Sequence, residues 1–159
     1  MTVWYFAYGS NLWIEQVVAR TGPVRLGAER PRIVRLENHR LVFNMRSPRP
    51  GDPDVVYANI EPGSGEVLGV VYCFDAEALR KMDVYEAGYR RQQVAVQVLE
   101  TGERLDAIAY IAEPANVTQG RTPDDAYVQR IVRGARQHGL PAAYIIQMIS
   151  QTGSSGALN

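Results

Sequence analysis

The chain has 159 residues, the usual size of one domain, and we predict a single domain over residues 1–150 with a flexible, Gly- and Ser-containing tail at 151–159. Its 17 basic and 17 acidic residues give a formal charge of zero. This balance argues against binding to nucleic acid or to an anionic membrane, because both ligands call for a basic surface. The single cysteine excludes an internal disulfide.

The N-terminal residues carry no basic segment followed by a long apolar one, as a secretory signal peptide would. The longest apolar stretches, such as 70–74 and 107–112, are far shorter than the roughly 20 residues that cross a bilayer. We therefore expect a cytoplasmic protein without a membrane contact.

The first half of the chain is dominated by predicted strands. Residues 3–8 are apolar and aromatic, which favours a strand, and a helix capped by Ser10 or Asn11 is expected to follow. Short strands are then predicted at 32–36, 40–45, 55–60 and 66–74, with Pro- and Gly-rich turns between them at 47–51 and 62–65.

The second half mixes helices with two more strands. Asp75 is expected to cap a helix over 76–85, and alternation of Val94, Val96 and Val98 with polar residues predicts a strand. Another strand is predicted over 105–111.

A third helix is predicted to start at a Thr122 cap with Pro123 in its first position and to end at Gly139. A last short helix is expected from Pro141 to Met148. Many short strands with few helices predict an α+β fold with a strongly curved or closed sheet.

Residues that commonly bind metals are scattered. His39 and His138 are isolated, and Cys73 lies in an apolar strand, where we expect a small core residue. His138 directly precedes Gly139 and is expected to favour the C-terminus of its helix. No glycine-rich phosphate-binding pattern occurs. The sequence thus predicts neither a metal site nor a nucleotide cofactor.

The segment Tyr8-Gly9-Ser10-Asn11-Leu12 is a candidate binding loop. A strand ends here, a glycine permits close approach of the backbone, two small polar residues follow and a helix begins. Backbone N–H groups at such a junction can bind a carboxylate or an oxyanion. An ordinary capped turn between strand and helix explains the same residues, so the pattern alone leaves both interpretations open.

Glu86 is a candidate general base near the end of the helix that follows Asp75. A carboxylate at the negative end of a helix dipole has a raised pKa, and burial beside Met82, Tyr85 and Tyr89 would raise it further. Such a carboxyl group suits proton transfer at neutral pH. A solvated surface glutamate is the alternative interpretation.

The segment YFAYGSNL at residues 5–12 resembles the N-terminal signature of the gamma-glutamylcyclotransferase family. Residues 58–60 and 66–72 resemble its paired strands, residues 82–86 its acidic segment, and residues 139–144 the junction before its last helix. The segments occur in the family's order, and the resemblance extends over the whole chain except the tail.

The resemblance implies a small mixed, mostly antiparallel β-barrel with flanking helices. It also implies an enzyme that converts γ-glutamyl amides into 5-oxoproline and a free amine, without a cofactor. The substrate's own α-amine would attack its δ-carbonyl, with Glu86 as general acid and base. The loop from Gly9 to Leu12 would hold the α-carboxylate or the tetrahedral oxyanion, and Tyr8 and Tyr89 would be walls or hydroxyl donors.

The chain departs from the family pattern just after Glu86, where Ala87 takes the place of the usual glycine and Gly88 follows. This shorter segment leaves the choice of leaving amine open, although Asn11 is a leucine in the glutathione-specific branch, which argues against glutathione.

Two alternatives are a biosynthetic enzyme that removes a γ-glutamyl group from a larger product and a noncatalytic metabolite-binding member. A plain hydrolase is disfavoured because no activated nucleophile is visible. The expected partner is a small γ-glutamyl substrate, and a homodimer is compatible with the sequence.

Overall fold

A computed structural model describes residues 1–22, 29–52 and 54–153, so the predicted tail lies outside the described residues from 154 onward. The described residues form five strands, which are β1 (Thr2–Ala7), β2 (Arg32–Arg46), β3 (Val56–Asp75), β4 (Tyr89–Val98) and β5 (Arg104–Ala112). They also form four α-helices, which are α1 (Ile14–Thr21), α2 (Ala76–Tyr85), α3 (Asp125–His138) and α4 (Ala142–Thr152). Short 3-10 helices occupy Ser10–Leu12 and Pro114–Asn116.

The strands close into a barrel in the order β1-β3-β2-β4-β5. Neighbouring strands are antiparallel except β1 and β5, which run parallel with Trp4 opposite Ala107 and Tyr5 opposite Ile108. The α+β class and the mixed, mostly antiparallel barrel are therefore confirmed. Closure removes the exposed edges of an open sheet.

Strands β2 and β3 are longer than the four short runs predicted for this region. The predicted turn at 62–65 is wrong, because His39 pairs with Pro62 and Glu37 with Glu66, so residues 63–65 lie opposite Asn38 in a bulge. Asn38 has a φ of 58° and Gly65 a φ of 113°, a backbone conformation that favours asparagine and glycine. Bulges bend a strand pair, which lets this long hairpin curve with the barrel.

The predicted caps were right for α2 and wrong for α1 and α3. Asp75 accepts a hydrogen bond from the Ala78 N–H at 2.8 Å and caps α2 as predicted. Helix α1 begins only after Trp13, since Ser10 and Asn11 lie in a 3-10 helix, and no side chain caps α1. Asp124 has an extended backbone and directly precedes α3, so the helix starts later than the predicted Thr122 cap.

The helix ends follow the glycine pattern. Gly139 ends α3 with a φ of 80°, in the left-handed conformation predicted for it. Helix α4 starts after Pro141 as predicted but continues beyond Met148 to Thr152.

Within the described ranges, no helix is long and apolar enough to cross a membrane.

The barrel interior is filled by the inward faces of the strands. Val94, Val96 and Val98 are all buried, as their alternation predicted. Cys73 is only half-buried, so its assignment to the core was wrong. The alternation along β3 explains this, because Tyr72 and Phe74 on either side of it are buried.

A glycine on α3 brings this helix against the loop that follows β1. A Cβ added to Gly134 would lie 2.2 Å from the Trp13 backbone nitrogen and 2.3 Å from the Leu12 carbonyl carbon. Only a residue without a side chain fits at that distance. Helix α3 therefore packs directly against the backbone of the 3-10 helix at Ser10–Leu12.

Candidate active site

A cavity of about 530 Å³ opens where the loop after β1, the end of α2 and the connection between β2 and β3 meet. Its wall is rich in tyrosines and arginines, namely Tyr5, Tyr8, Tyr57, Tyr85, Tyr89, Tyr110, Tyr127, Arg20, Arg49 and Arg130. Its only acidic lining residue among those described is Glu86. A cavity of this size encloses a small organic molecule.

Glu86 directly follows the last residue of α2. Its N–H donates to the Asp83 carbonyl at 3.1 Å, and its carbonyl accepts from the Tyr89 N–H at 3.0 Å. The Asp83 carboxylate in turn accepts hydrogen bonds from Arg91 on β4 and from the Tyr110 hydroxyl on β5 at 2.7 Å. The end of α2 is therefore fixed to the barrel one turn before Glu86.

Asn11 holds the Glu86 carboxylate. The Asn11 side-chain nitrogen lies 3.0 Å from Glu86 Oε1 and 2.8 Å from the Tyr5 hydroxyl oxygen. Its side-chain oxygen accepts from Gln16 Nε2 at 3.0 Å and from Arg20 Nη1 at 3.1 Å. Because the two donors on α1 occupy the amide oxygen, the amide must present its N–H groups to Glu86 and Tyr5.

The surroundings of Glu86 adjust its proton affinity. Burial raises the pKa of the Glu86 carboxyl to about 7, although the Arg20 guanidinium and the Asn11 hydrogen bond lower it, and the Asp83 carboxylate adds a smaller increase. Arg20 Nη1 lies 4.0 Å from Glu86 Oε1, and the Glu86 side chain is 12% exposed. A carboxyl group with this pKa exchanges protons readily in both directions at neutral pH.

The loop after β1 brings backbone N–H groups to the cavity. Within the described ranges, the N–H groups of Ser10 and Asn11 have no protein acceptor, and both residues line the cavity together with Gly9. The Leu12 N–H donates to the Gly9 carbonyl at 3.0 Å. The Leu12 side chain is buried in the core and does not line the cavity, so the structure separates this one residue from the predicted set.

The carbonyl groups of the same loop are held from the barrel side. The Tyr72 hydroxyl donates to the Asn11 carbonyl at 2.9 Å, and His138 Nε2 donates to the Leu12 carbonyl at 2.8 Å. Burial lowers the pKa of His138, whose side chain contacts the loop through this hydrogen bond. His138 is the last residue of α3, and its stabilisation of that helix end stays a prediction.

The predicted residues Tyr8 and Tyr89 both line the cavity. The Tyr8 hydroxyl donates to the Tyr110 carbonyl, and the Tyr89 hydroxyl donates to the Ala58 carbonyl at 2.7 Å. Burial raises the pKa of both hydroxyls well above the usual value, so they stay protonated. With their protons committed to carbonyl groups, they offer lone pairs rather than donors to the cavity.

Sequence reasoning missed the three arginines and Tyr127. Arg20 lies over the Tyr85 ring at 5.0 Å, and Arg130 over the Tyr127 ring at 5.9 Å. Across the described ranges, neither Arg49 nor Arg130 has a carboxylate within 4.0 Å. A signal for Arg20 was available, since Gln16 and Arg20 lie four residues apart on α1 and therefore share a face beside the loop.

In the part of the chain that the structure describes, no group of three or more His, Cys, Asp or Glu side chains is placed to hold a metal ion. The described lining of the cavity offers one proton-exchanging carboxyl group, hydroxyl and backbone N–H groups, and guanidinium groups.

The profile of the AIG2-like family matches residues 66–148, and the chain belongs to this family. Among solved structures, the uncharacterised human protein loc79017 is 27% identical, with a TM-score of 0.76 over 92% of this chain and 86% of its own. A gamma-glutamyl cyclotransferase is 25% identical, with a TM-score of 0.77 over 98% of this chain and 92% of its own.

The protein YkqA from Bacillus subtilis shares the fold at 20% identity and a TM-score of 0.78, and the match spans 96% of this chain but 55% of YkqA. A comparison with curated protein sequences finds no match. The family and the barrel fold are thus established by comparison, as the resemblance in the sequence implied.

Proposed function

We propose that the protein is a γ-glutamylcyclotransferase that releases 5-oxoproline and a free amine from γ-glutamyl amides. The observation that carries this proposal is the buried Glu86 carboxyl, with a pKa of about 7, held by Asn11 beside free N–H groups of the same loop. The likeness to a gamma-glutamyl cyclotransferase over 98% of the chain supports it.

The chemistry needs only one group that moves a proton. The substrate's α-ammonium group first loses one proton to solvent. The nitrogen of the neutral α-amine then attacks the δ-carbonyl carbon and closes a five-membered ring, while Glu86 takes a second proton from it. The bond from that carbon to the leaving nitrogen breaks, and the protonated Glu86 returns its proton to that nitrogen. Because nucleophile and electrophile belong to one molecule, a cavity that holds the substrate folded supplies much of the rate.

The loop N–H groups provide the anion-binding part of the proposal. The unpaired N–H groups of Ser10 and Asn11 suit either the substrate's α-carboxylate or the oxyanion of the tetrahedral intermediate. A donor lost from an oxyanion site commonly costs about 3 kcal/mol of transition-state stabilisation. No cofactor is required by this mechanism.

The arginines at the cavity favour leaving amines that carry a carboxylate. Arg49 and Arg130 are exposed cavity residues without an acidic partner among the described residues, so a carboxylate on the leaving amine would supply one. γ-Glutamyl amino acids have such a carboxylate, whereas simple γ-glutamyl amines do not. We infer that γ-glutamyl amino acids are the better substrates.

The test is a panel of substrates followed by mass spectrometry of 5-oxoproline. We expect turnover of γ-glutamyl-alanine, with the γ-glutamyl derivative of ethylamine about tenfold lower in kcat/KM, and none of N-acetyl-γ-glutamyl-alanine, whose nitrogen can no longer attack. An Arg130→Gln variant should reduce the preference for the amino acid. Release of alanine from the N-acetyl compound would indicate hydrolysis and contradict the proposal.

A further inference from the structure

Two cavity tyrosines meet at the peptide groups of one residue, Ala58 on β3. The Ala58 N–H donates to the Tyr127 hydroxyl oxygen at 2.9 Å, and the Ala58 carbonyl accepts from the Tyr89 hydroxyl at 2.7 Å. Tyr127 comes from α3 and Tyr89 from β4, and both line the cavity. The same backbone segment therefore fixes both hydroxyl groups, but in opposite senses.

A tyrosine hydroxyl has one proton to donate and lone pairs that accept. The Tyr89 hydroxyl donates to the Ala58 carbonyl, so its oxygen can only accept a further hydrogen bond. The Tyr127 hydroxyl oxygen accepts from the Ala58 N–H, and its own O–H has no acceptor among the described residues. Tyr127 can therefore donate to a ligand in the cavity, whereas Tyr89 cannot.

The Tyr127 hydroxyl has other donors near it. A Cβ placed on Gly9 would lie 3.5 Å from the Tyr127 hydroxyl oxygen, so Tyr127 lies beside the loop with the unpaired N–H groups. These hydrogen-bond donors together favour a carboxylate.

Other groups in the cavity offer only acceptors. The Tyr8 hydroxyl also donates to a backbone carbonyl, so its oxygen offers only lone pairs to a ligand. Tyr8 and Tyr89 line the cavity together with the Glu86 carboxyl group. Lone pairs and a carboxylate together favour an ammonium group.

We propose that Tyr127 and Tyr89 recognise the two charged groups of a γ-glutamyl substrate by opposite hydrogen-bond polarity. The Tyr127 hydroxyl donates to the α-carboxylate, and the Tyr89 hydroxyl oxygen accepts from the α-ammonium group. This inference rests on the proposed function, and it assigns each charged group of the γ-glutamyl moiety to one of the two tyrosines.

The test uses two analogues that each keep one charge of the γ-glutamyl group. N-Glutaryl-alanine has the carboxylate without the amine, and N-(4-aminobutanoyl)-alanine has the ammonium without that carboxylate. Dissociation constants are measured by calorimetry in the Glu86→Gln background, which prevents turnover. Three further substitutions are compared in that background, namely Tyr127→Phe, Tyr89→Phe and Tyr57→Phe.

We expect Tyr127→Phe to weaken binding of the glutaryl compound about tenfold and binding of the aminobutanoyl compound less than about twofold. Only the glutaryl compound has the carboxylate that loses a hydrogen bond when the Tyr127 hydroxyl is removed. Tyr89→Phe should give the reverse pattern. Tyr57 lines the same cavity and packs on Tyr127 without a hydrogen bond to Ala58, so Tyr57→Phe should leave the ratio of the two affinities unchanged.

Equal loss for both analogues in each variant, or the reversed pattern, would overturn the polarity assignment and leave the proposed function standing. If neither analogue nor γ-glutamyl-alanine binds the Glu86→Gln protein, the proposed function fails and this inference fails with it. Should Tyr127→Phe not fold, a crystal structure of Glu86→Gln with γ-glutamyl-alanine decides. A carboxylate oxygen at the Tyr127 hydroxyl supports the assignment, and the ammonium group there overturns it.

Discussion

Replacing Glu86 by glutamine should make the protein more stable at alkaline pH. The folded state raises the pKa of Glu86 from 4.5 to about 7, so folding favours the protonated carboxyl. Above pH 7 the group is ionised in both states, and the buried charge destabilises the folded one. At about 1.4 kcal/mol per pKa unit, the difference between the pKa of Glu86 in the unfolded and folded states corresponds to about 3 kcal/mol of lost stability.

Glutamine keeps the shape of the side chain and the acceptor for Asn11 but carries no charge. Glu86→Gln should therefore gain up to about 3 kcal/mol in free energy of unfolding at pH 8, or about 6 to 12 °C in Tm for a domain of this size. Below pH 4.5 the wild-type carboxyl is protonated in both states, so the gain should largely disappear there. Urea unfolding at both pH values measures the difference.

A control on the same helix separates this effect from a general loss of negative charge. Glu77 is 65% exposed and pairs with Lys81, so Glu77→Gln should change stability by no more than about 0.5 kcal/mol. If Glu86→Gln is no more stable than wild type at pH 8, or if its gain is the same at both pH values, the buried ionised carboxyl does not cost what the structure implies.

Two further substitutions test the supports of the site. Arg20→Met removes a cation 4.0 Å from Glu86 and should move the acid limb of the kcat/KM profile up by about one pH unit. Arg20→Lys keeps the charge and should move that limb less. An unchanged limb in a folded Arg20→Met protein would contradict the role of Arg20 in lowering the pKa of Glu86. Gly134→Ala forces a Cβ to within 2.3 Å of the loop backbone and should lower the free energy of unfolding by about 2 to 3 kcal/mol. Gly51 has open space around it, so Gly51→Ala should be nearly neutral. Thermal unfolding measures both variants, and an equally small effect of the two would contradict the tight contact between α3 and the loop.

The elements set by local patterns could be predicted from the sequence. The alternation of Val94, Val96 and Val98, the Asp75 cap and the left-handed Gly139 each depend on a few neighbouring residues. The segment at 62–65 could not be assigned in this way. Glycines mark turns and bulges alike, and only the pairing of β3 with distant β2 decides between them.

The candidate site was predictable where its residues are contiguous and hidden where they are not. The loop at 8–12 and Glu86 could be found from short motifs, although burial of Leu12 depends on its packing against α3. Tyr127 and Arg130 lie more than 110 residues beyond that loop, and only closure of the fold brings them to it. The hydrogen-bond polarity of the Tyr127 hydroxyl follows from its bond with the Ala58 N–H, which no sequence pattern records.

Formation of 5-oxoproline from γ-glutamyl-alanine by wild-type and Glu86→Gln proteins is the most direct test of the central claim. We expect the wild-type protein to release 5-oxoproline and alanine in equal amounts, and the folded Glu86→Gln protein to lose at least about 100-fold in kcat, because an amide cannot exchange a proton. Substantial 5-oxoproline formation by the folded variant, or none by the wild-type protein with any γ-glutamyl amino acid, would contradict the account.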